Sequence, residues 1–220
     1  MLHEYHLTVP RTARYYLVGE AAPGVRDVWI VCHGYAQLAG EFVRHFEALH
    51  DPGRLIVAPE ALSRFYLEGG SHGPDNKVGA TWMTREDRLT EIEDYVGYLD
   101  ALHDAVFQRV DRRAATLTVL GFSQGAATAS RWVAFGRSKV ERLVLWGGLL
   151  PPDLDLVAAH DRFARLSLVL VAGRRDRFLD EHQLSEQVAA LERHGFAPRT
   201  VRYPGGHGLN GKVLADLARG

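Results

Sequence analysis

"TVLGFSQGAATAS" runs from Thr118 to Ser130 and changes character midway: an apolar, β-branched run ends at Gly121 and Phe122, and a helix-forming run begins at Gln124. Ser123 stands between Gly121 and Gly125 in a GxSxG string. The string alone says little, because glycine and serine are common. A strand leading in and a helix leading out give it the setting of a nucleophile elbow, a sharp turn that presents a serine hydroxyl above a sheet edge. Glycines fit such a turn, since side chains there would collide with the neighbouring strand and helix. The plainer alternative is a serine that only caps a helix.

A serine hydroxyl becomes a nucleophile when a base accepts its proton and an acid orients that base. Downstream, "LVLVAGRRD" delivers Asp176 just past a strand end. Asp180 competes for the role, but with Gln183 three residues later it reads as a helix capping box. In "VRYPGGHGLN", glycines flank His207 beyond the last apolar run. His45, His50, His103, His182 and His194 fall in helical or helix-end contexts, and His3 and His6 on a first, edge strand. No spacing among them suggests a metal site. Ser123, Asp176, His207 is the chain order of α/β-hydrolases, each residue lying just past a strand. In an open α/β sheet such positions converge beyond the strands' carboxyl ends.

Acyl transfer also needs donors for a developing oxyanion. The elbow offers the backbone N–H of Gln124, and the loop in "VCHGYAQ" offers that of Tyr35, with His33 shaping the loop rather than acting as a base.

The rest of the chain fits around this site. "EYHLTV", "ARYYLVG", "DVWIVCHG", "RLIVAP", "ATLTVLGF", "ERLVLWGG", "SLVLVAG" and "RTVRYPG" read as eight strands, the first two an antiparallel pair around Pro10. Helical periodicity is expected over 86–106, where Thr84 and Asp87 suggest an N-cap, and near 38–49, 124–136, 181–194 and 208–218. Alternating strands and helices call for an α/β fold with a mostly parallel sheet covered on both faces. No repeat or linker divides residues 1–220, so a single domain is expected. Residues 61–80, rich in glycine and weakly periodic, read as an irregular functional or mobile loop.

The 220 residues carry 26 basic and 27 acidic side chains in mixed order, a net charge of -1 that offers no field for nucleic acid or an anionic membrane. A small, roughly neutral molecule is the expected partner, and a homodimer is compatible with the sequence. No apolar run reaches the roughly 18 residues of a spanning helix, and the N-terminal residues lack the pattern of a secretion signal. Cys32 is the only cysteine, in an apolar run that suggests an inert, buried thiol. A cytoplasmic setting follows as the expectation.

"HGY", "GFSQGAA", "LWGGLLPPD", "AGRRDRF" and "PGGHGLN" together resemble the successive blocks of the phospholipase/carboxylesterase family of α/β-hydrolases, which includes acyl-protein thioesterases. The similarity spans residues 27–218. It implies an eight-stranded, mostly parallel core flanked by helices without a large cap domain. It also implies hydrolysis of carboxylic esters or thioesters by a serine mechanism that needs no cofactor or metal. The candidate walls of the acyl pocket are Leu38, Phe65 and Tyr66, with Trp82 and Met83 after the loop and Leu149 and Leu150 farther on. Arg64 or His72 would supply polarity. Acyl transfer or peptide hydrolysis by the same triad, or a non-catalytic binding protein on this fold, are the alternatives.

Overall fold

Seven of the eight apolar runs pair into one sheet in the computed structural model, which describes residues 1–68 and 75–219. The strands are β1 (Tyr15–Val18), β2 (Asp27–Cys32), β3 (Arg54–Pro59), β4 (Ser63–Tyr66), β5 (Val78–Thr81), β6 (Thr116–Phe122), β7 (Arg142–Trp146), β8 (Ser167–Gly173) and β9 (Arg199–Tyr203). All but β4 and β5 form the sheet, in the order β1-β3-β2-β6-β7-β8-β9. Every pairing in it is parallel except β1 with β3. The helices are α1 (Ala39–Phe42), α2 (Arg88–Phe107), α3 (Gln124–Phe135), α4 (His160–Phe163), α5 (Glu181–Arg193) and α6 (Gly211–Arg219).

The continuously apolar strands are explained by cores on both faces of the sheet. Val28 and Ile30 of β2, Leu117 and Val119 of β6, and Leu143 and Leu145 of β7 join α2 and α3 in one cluster. The alternate residues Trp29, Val31, Leu120, Val144 and Trp146 join α1 and α6 in the other. Burying each such side chain contributes roughly 1.5–3 kcal/mol. Between α2 and α3 the buried Asp100 accepts from the Trp132 indole N–H (2.9 Å), the Ser138 hydroxyl (3.0 Å) and the Arg137 N–H (2.9 Å). Burial pushes its carboxyl pKa up, but these donors outweigh it and hold the group below the ordinary carboxylate range.

The sheet has seven strands rather than the expected eight. "EYHLTV" alternates as a half-buried strand should, but it forms no strand, and β1, its expected partner, pairs only with β3. Side chains draw the segment toward α2 and β4: His6 contacts Asp87 at 3.1 Å, and Arg11 donates to the Leu62 carbonyl. Residues 61–80 are not wholly irregular, because β4 and β5 form an antiparallel pair from Ser63 opposite Thr81 to Tyr66 opposite Val78.

The helix expected over 38–49 divides into α1 and a 3-10 stretch over Val43–Leu49. Val43, Phe46 and Leu49 are its buried residues, and a three-residue step matches the tighter helix. The expected Thr84 cap does not form. α2 begins after Asp87, which adopts a left-handed φ of 44° without a side-chain capping bond, while the Thr84 N–H donates to Glu91 (2.6 Å). Asp180 and Gln183 do form the capping box of α5, with bonds of 2.8 and 3.1 Å. Among the described residues, no helix is long and apolar enough to cross a membrane.

Candidate active site

The turn between β6 and α3 holds Ser123 at φ 54° and ψ -116°, a conformation that L residues rarely adopt. Its N–H donates to the Trp146 carbonyl (2.8 Å) and its carbonyl accepts from Ala126 (2.9 Å). A Cβ at Gly121 would strike the Gly125 carbonyl, and one at Gly125 would strike the carbonyls of Cys32 and His33. Both glycines are thus required by close backbone approach.

Three strand ends meet here. Ser123 Oγ lies 2.9 Å from His207 Nε2, and His207 Nδ1 lies 2.9 and 3.1 Å from the two oxygens of Asp176. With Nδ1–H donating to the carboxylate, Nε2 is left to accept the serine proton. Asp176 also accepts from the backbone N–H groups of Phe178 (2.9 Å) and Leu179 (3.3 Å), so one carboxylate shapes its turn and orients the imidazole. The loops carrying the acid and the histidine are joined by Arg175 N–H donating to the Gly205 carbonyl (2.8 Å). The Trp146 indole N–H donates to Gly208 (3.0 Å), fixing the far side of His207. Gly147, at φ 58°, would bring a Cβ within 3.1 Å of the His207 ring. The absent side chain leaves room for the imidazole.

The N–H groups of Tyr35 and Gln124 donate to no acceptor among the described residues. One residue connects their two loops. The backbone N–H of Trp82 donates to Gln124 Oε1 (3.1 Å), and its indole N–H donates to the His33 carbonyl (2.8 Å). Gln124 Nε2 completes the clamp by donating to Thr81 Oγ1 and the Met83 carbonyl, both at 2.9 Å. His33 is fully buried; its Nδ1–H donates to the Gly34 carbonyl (2.8 Å) and its Nε2 accepts from Ala61 N–H (3.1 Å). Burial lowers its pKa, against the opposing influence of the Gly34 bond and the Glu60 charge.

A cleft of about 540 Å³ opens at Ser123 and His207. Its apolar walls are Phe42, Phe122, Phe178 and Leu209, and its polar ones Tyr35, Gln37 and His45. Phe122 and Phe178 flank the imidazole, with ring centroids 5.0 and 4.7 Å from that of His207. None of the seven expected wall residues lines this cleft. Trp82 and Leu150 are buried in the core, and Leu38, Met83 and Leu149 pack against it. Phe65 reaches only the cleft's edge by stacking on Tyr35 (5.2 Å), and Tyr66 is exposed. Arg64 is held away by Glu60 (2.7 Å), and His72 lies outside the described residues. The true walls had a sequence signal: Phe122 adjoins Ser123, Phe178 follows Asp176 by two residues, and Leu209 follows His207 by two.

Trp82 instead lines a second cavity of about 530 Å³ between α2 and the segment containing His6 and Val9, apart from the triad. Among the described residues, Glu4, His6 and Asp87 could bring ligand atoms to one metal ion; all three are exposed and none lines the cleft.

A family model described as serine hydrolase (FSH1) matches residues 44–209. No curated protein matches the sequence significantly. Among solved structures, Zea mays acyl-protein thioesterase 2 superposes with a TM-score of 0.70 at 18% identity, covering 94% of this chain and 97% of that one. A carboxylesterase from Mesorhizobium loti gives 0.69 at 20% identity over 94% and 95%, and esterase PE8 gives 0.66 at 20% over 95% and 97%. The shared architecture is the α/β-hydrolase fold without a large cap.

Proposed function

The chain belongs to the serine hydrolase (FSH1) family, and from that premise we propose that it cleaves carboxylic esters, thioesters included, of small or medium acyl groups through an acyl-enzyme on Ser123. The observation that carries this reading is the unbroken chain Ser123 Oγ, His207, Asp176, with 2.9 Å on either side of the imidazole.

As Ser123 Oγ attacks the carbonyl carbon, its proton passes to His207 Nε2. Asp176 keeps Nδ1 protonated and stabilises the imidazolium that forms. The carbonyl oxygen, now negative, accepts from the N–H groups of Tyr35 and Gln124; losing one such donor typically costs about 10²–10³ in rate. The imidazolium returns its proton to the leaving alcohol or thiol. Water then enters, His207 takes one of its protons as the oxygen attacks the acyl carbon, and the imidazolium gives that proton to Ser123 Oγ as the ester bond breaks, releasing the acid and free serine. The acyl chain lies against Phe42, Phe122 and Leu209, which favours apolar carbon over charge in the inner cleft.

The test is hydrolysis of p-nitrophenyl butyrate and labelling by a fluorophosphonate probe. Turnover and labelling in the native chain, both absent in Ser123→Ala, are the expected results. Equal turnover by the two proteins would end this assignment.

A further inference from the structure

The loop that follows β8 places arginines near the cleft. Among the described residues, no carboxylate lines the cleft. The loop beside it, "GRRDRF", presents Arg174, Arg175 and Arg177 to solvent, and none of the three has an acidic partner among the described residues. The nearby acids in sequence are already engaged: Asp176 by His207, Asp180 in the α5 capping box, and Glu181 by Arg202. Hydrogen bonding leaves the Asp176 and Asp180 charges in place, so the three arginines exceed the two neighbouring aspartates by one positive charge, although the whole chain is nearly neutral.

Arg177 does not itself line the cleft, but of the three arginines it is the one in ring contact with a residue that does, Phe178. Its guanidinium carbon lies 4.8 Å from the Phe178 ring centroid, and that ring, a wall of the cleft, lies 4.7 Å from the His207 ring. The charge is thus two ring contacts from the imidazole. Stacking on an aromatic face restrains a side chain that would otherwise lose much rotamer freedom on binding. The backbone on both sides is fixed too. Arg174 and Arg175 N–H groups donate to Tyr203 and Gly205 carbonyls (2.9 and 2.8 Å), and those of Phe178 and Leu179 to Asp176. A guanidinium held this way offers paired donors to a carboxylate or phosphate.

We propose that the substrate carries an anionic group, a carboxylate or phosphate, a few bonds from the scissile carbonyl, and that Arg177, presented on Phe178, selects for it. This rests on the esterase reading above and replaces the neutral partner that net charge alone suggests. The anion can belong to the acyl part or to the leaving group.

Two matched pairs test the idea and separate those sources. Mono-p-nitrophenyl adipate against p-nitrophenyl hexanoate places a carboxylate or a methyl at the end of equal acyl chains. Hexanoyl-coenzyme A against the hexanoyl thioester of N-acetylcysteamine places phosphates, or none, on the leaving side. At low ionic strength kcat/KM favours the anionic member of at least one pair; Arg177→Gln lowers that ratio about three- to fivefold, and Arg177→Glu inverts it. Added salt weakens the preference. No preference in either pair, or a preference that survives in Arg177→Gln, overturns the proposal. Turnover of the neutral esters, abolished in Ser123→Ala, upholds the esterase reading whatever the ratios.

Discussion

Two histidines follow two strands of the sheet, and each is held by both ring nitrogens, yet they do different work. After β2, His33 donates from Nδ1 to Gly34 and accepts at Nε2 from the Ala61 amide. After β9, His207 donates from Nδ1 to Asp176 and faces the Ser123 hydroxyl at Nε2. The tautomer is the same. The difference is the partner at Nε2: a backbone amide keeps its proton, whereas a hydroxyl aimed into a cleft can give its proton up. Burial sharpens the contrast, since the His33 ring is sealed in protein and the His207 side chain keeps 15% of its surface open.

The largest effect should come from the second region. His207→Ala lowers kcat/KM for a simple ester by about ten-thousandfold, with the melting temperature nearly unchanged. Asp176→Asn does the same for a different reason: its amide oxygen still serves the Phe178 and Leu179 N–H groups, so the turn persists while the imidazole loses its acceptor. Retention of a tenth of the native rate in either variant would break the distinction between the two histidines.

His33→Ala should act on stability. It leaves the Ala61 amide without a partner beside a void and takes one of the Gly34 carbonyl's two donors, at a cost of about 3 kcal/mol in urea unfolding. The pH dependence has a defined sign. Because the folded-state pKa of His33 is lowered, its neutral form stabilises the fold above the unfolded value of about 6.5, and this contribution is lost as pH falls below that value. The lowered pKa values of Glu60 and Asp100 place their losses at more acidic pH, below about 4.5. Stability that stayed level from pH 7 to 5 would contradict the assignment of His33.

A smaller effect belongs to the clamp that joins the loops of Tyr35 and Gln124, the proposed oxyanion donors. Gln124→Ala retains the backbone donor but releases the Thr81–Met83 segment. We expect kcat to fall about tenfold with KM little changed. A change confined to KM would show that the amide contacts substrate rather than holding the loop.

How much of this could be read beforehand varies by region. The meeting of Ser123, His207 and Asp176 was legible because each follows a buried parallel strand, whose unbroken apolar run marks its own end, as "TLTVLGF" does before Ser123. "EYHLTV" misled because alternation reports what a strand could bury, not whether it pairs: β1 ends the sheet with one side unpaired, while the segment's side chains reach Asp87 and Leu62. The β4–β5 pair was hidden in a polar, glycine-rich stretch. Its position depends on tertiary contacts at the oxyanion loop, where Ala36 N–H donates to the Ala80 carbonyl (2.9 Å) and Gly79 leaves no space for a Cβ. The wall residues were sought in loops at the same sheet edge, whereas Phe122 and Phe178, within two residues of Ser123 and Asp176, line the cleft.

The backbone of Ser123 carries a last consequence. A left-handed φ of 54° at a residue with a side chain is a load that the rest of the fold supports. Glycine adopts that angle freely, so Ser123→Gly should raise unfolding free energy by about 1 kcal/mol while ending hydrolysis. An unchanged or lowered denaturation midpoint would refute this. The proposed nucleophile would then also be a source of strain, and selection for durability alone would remove it.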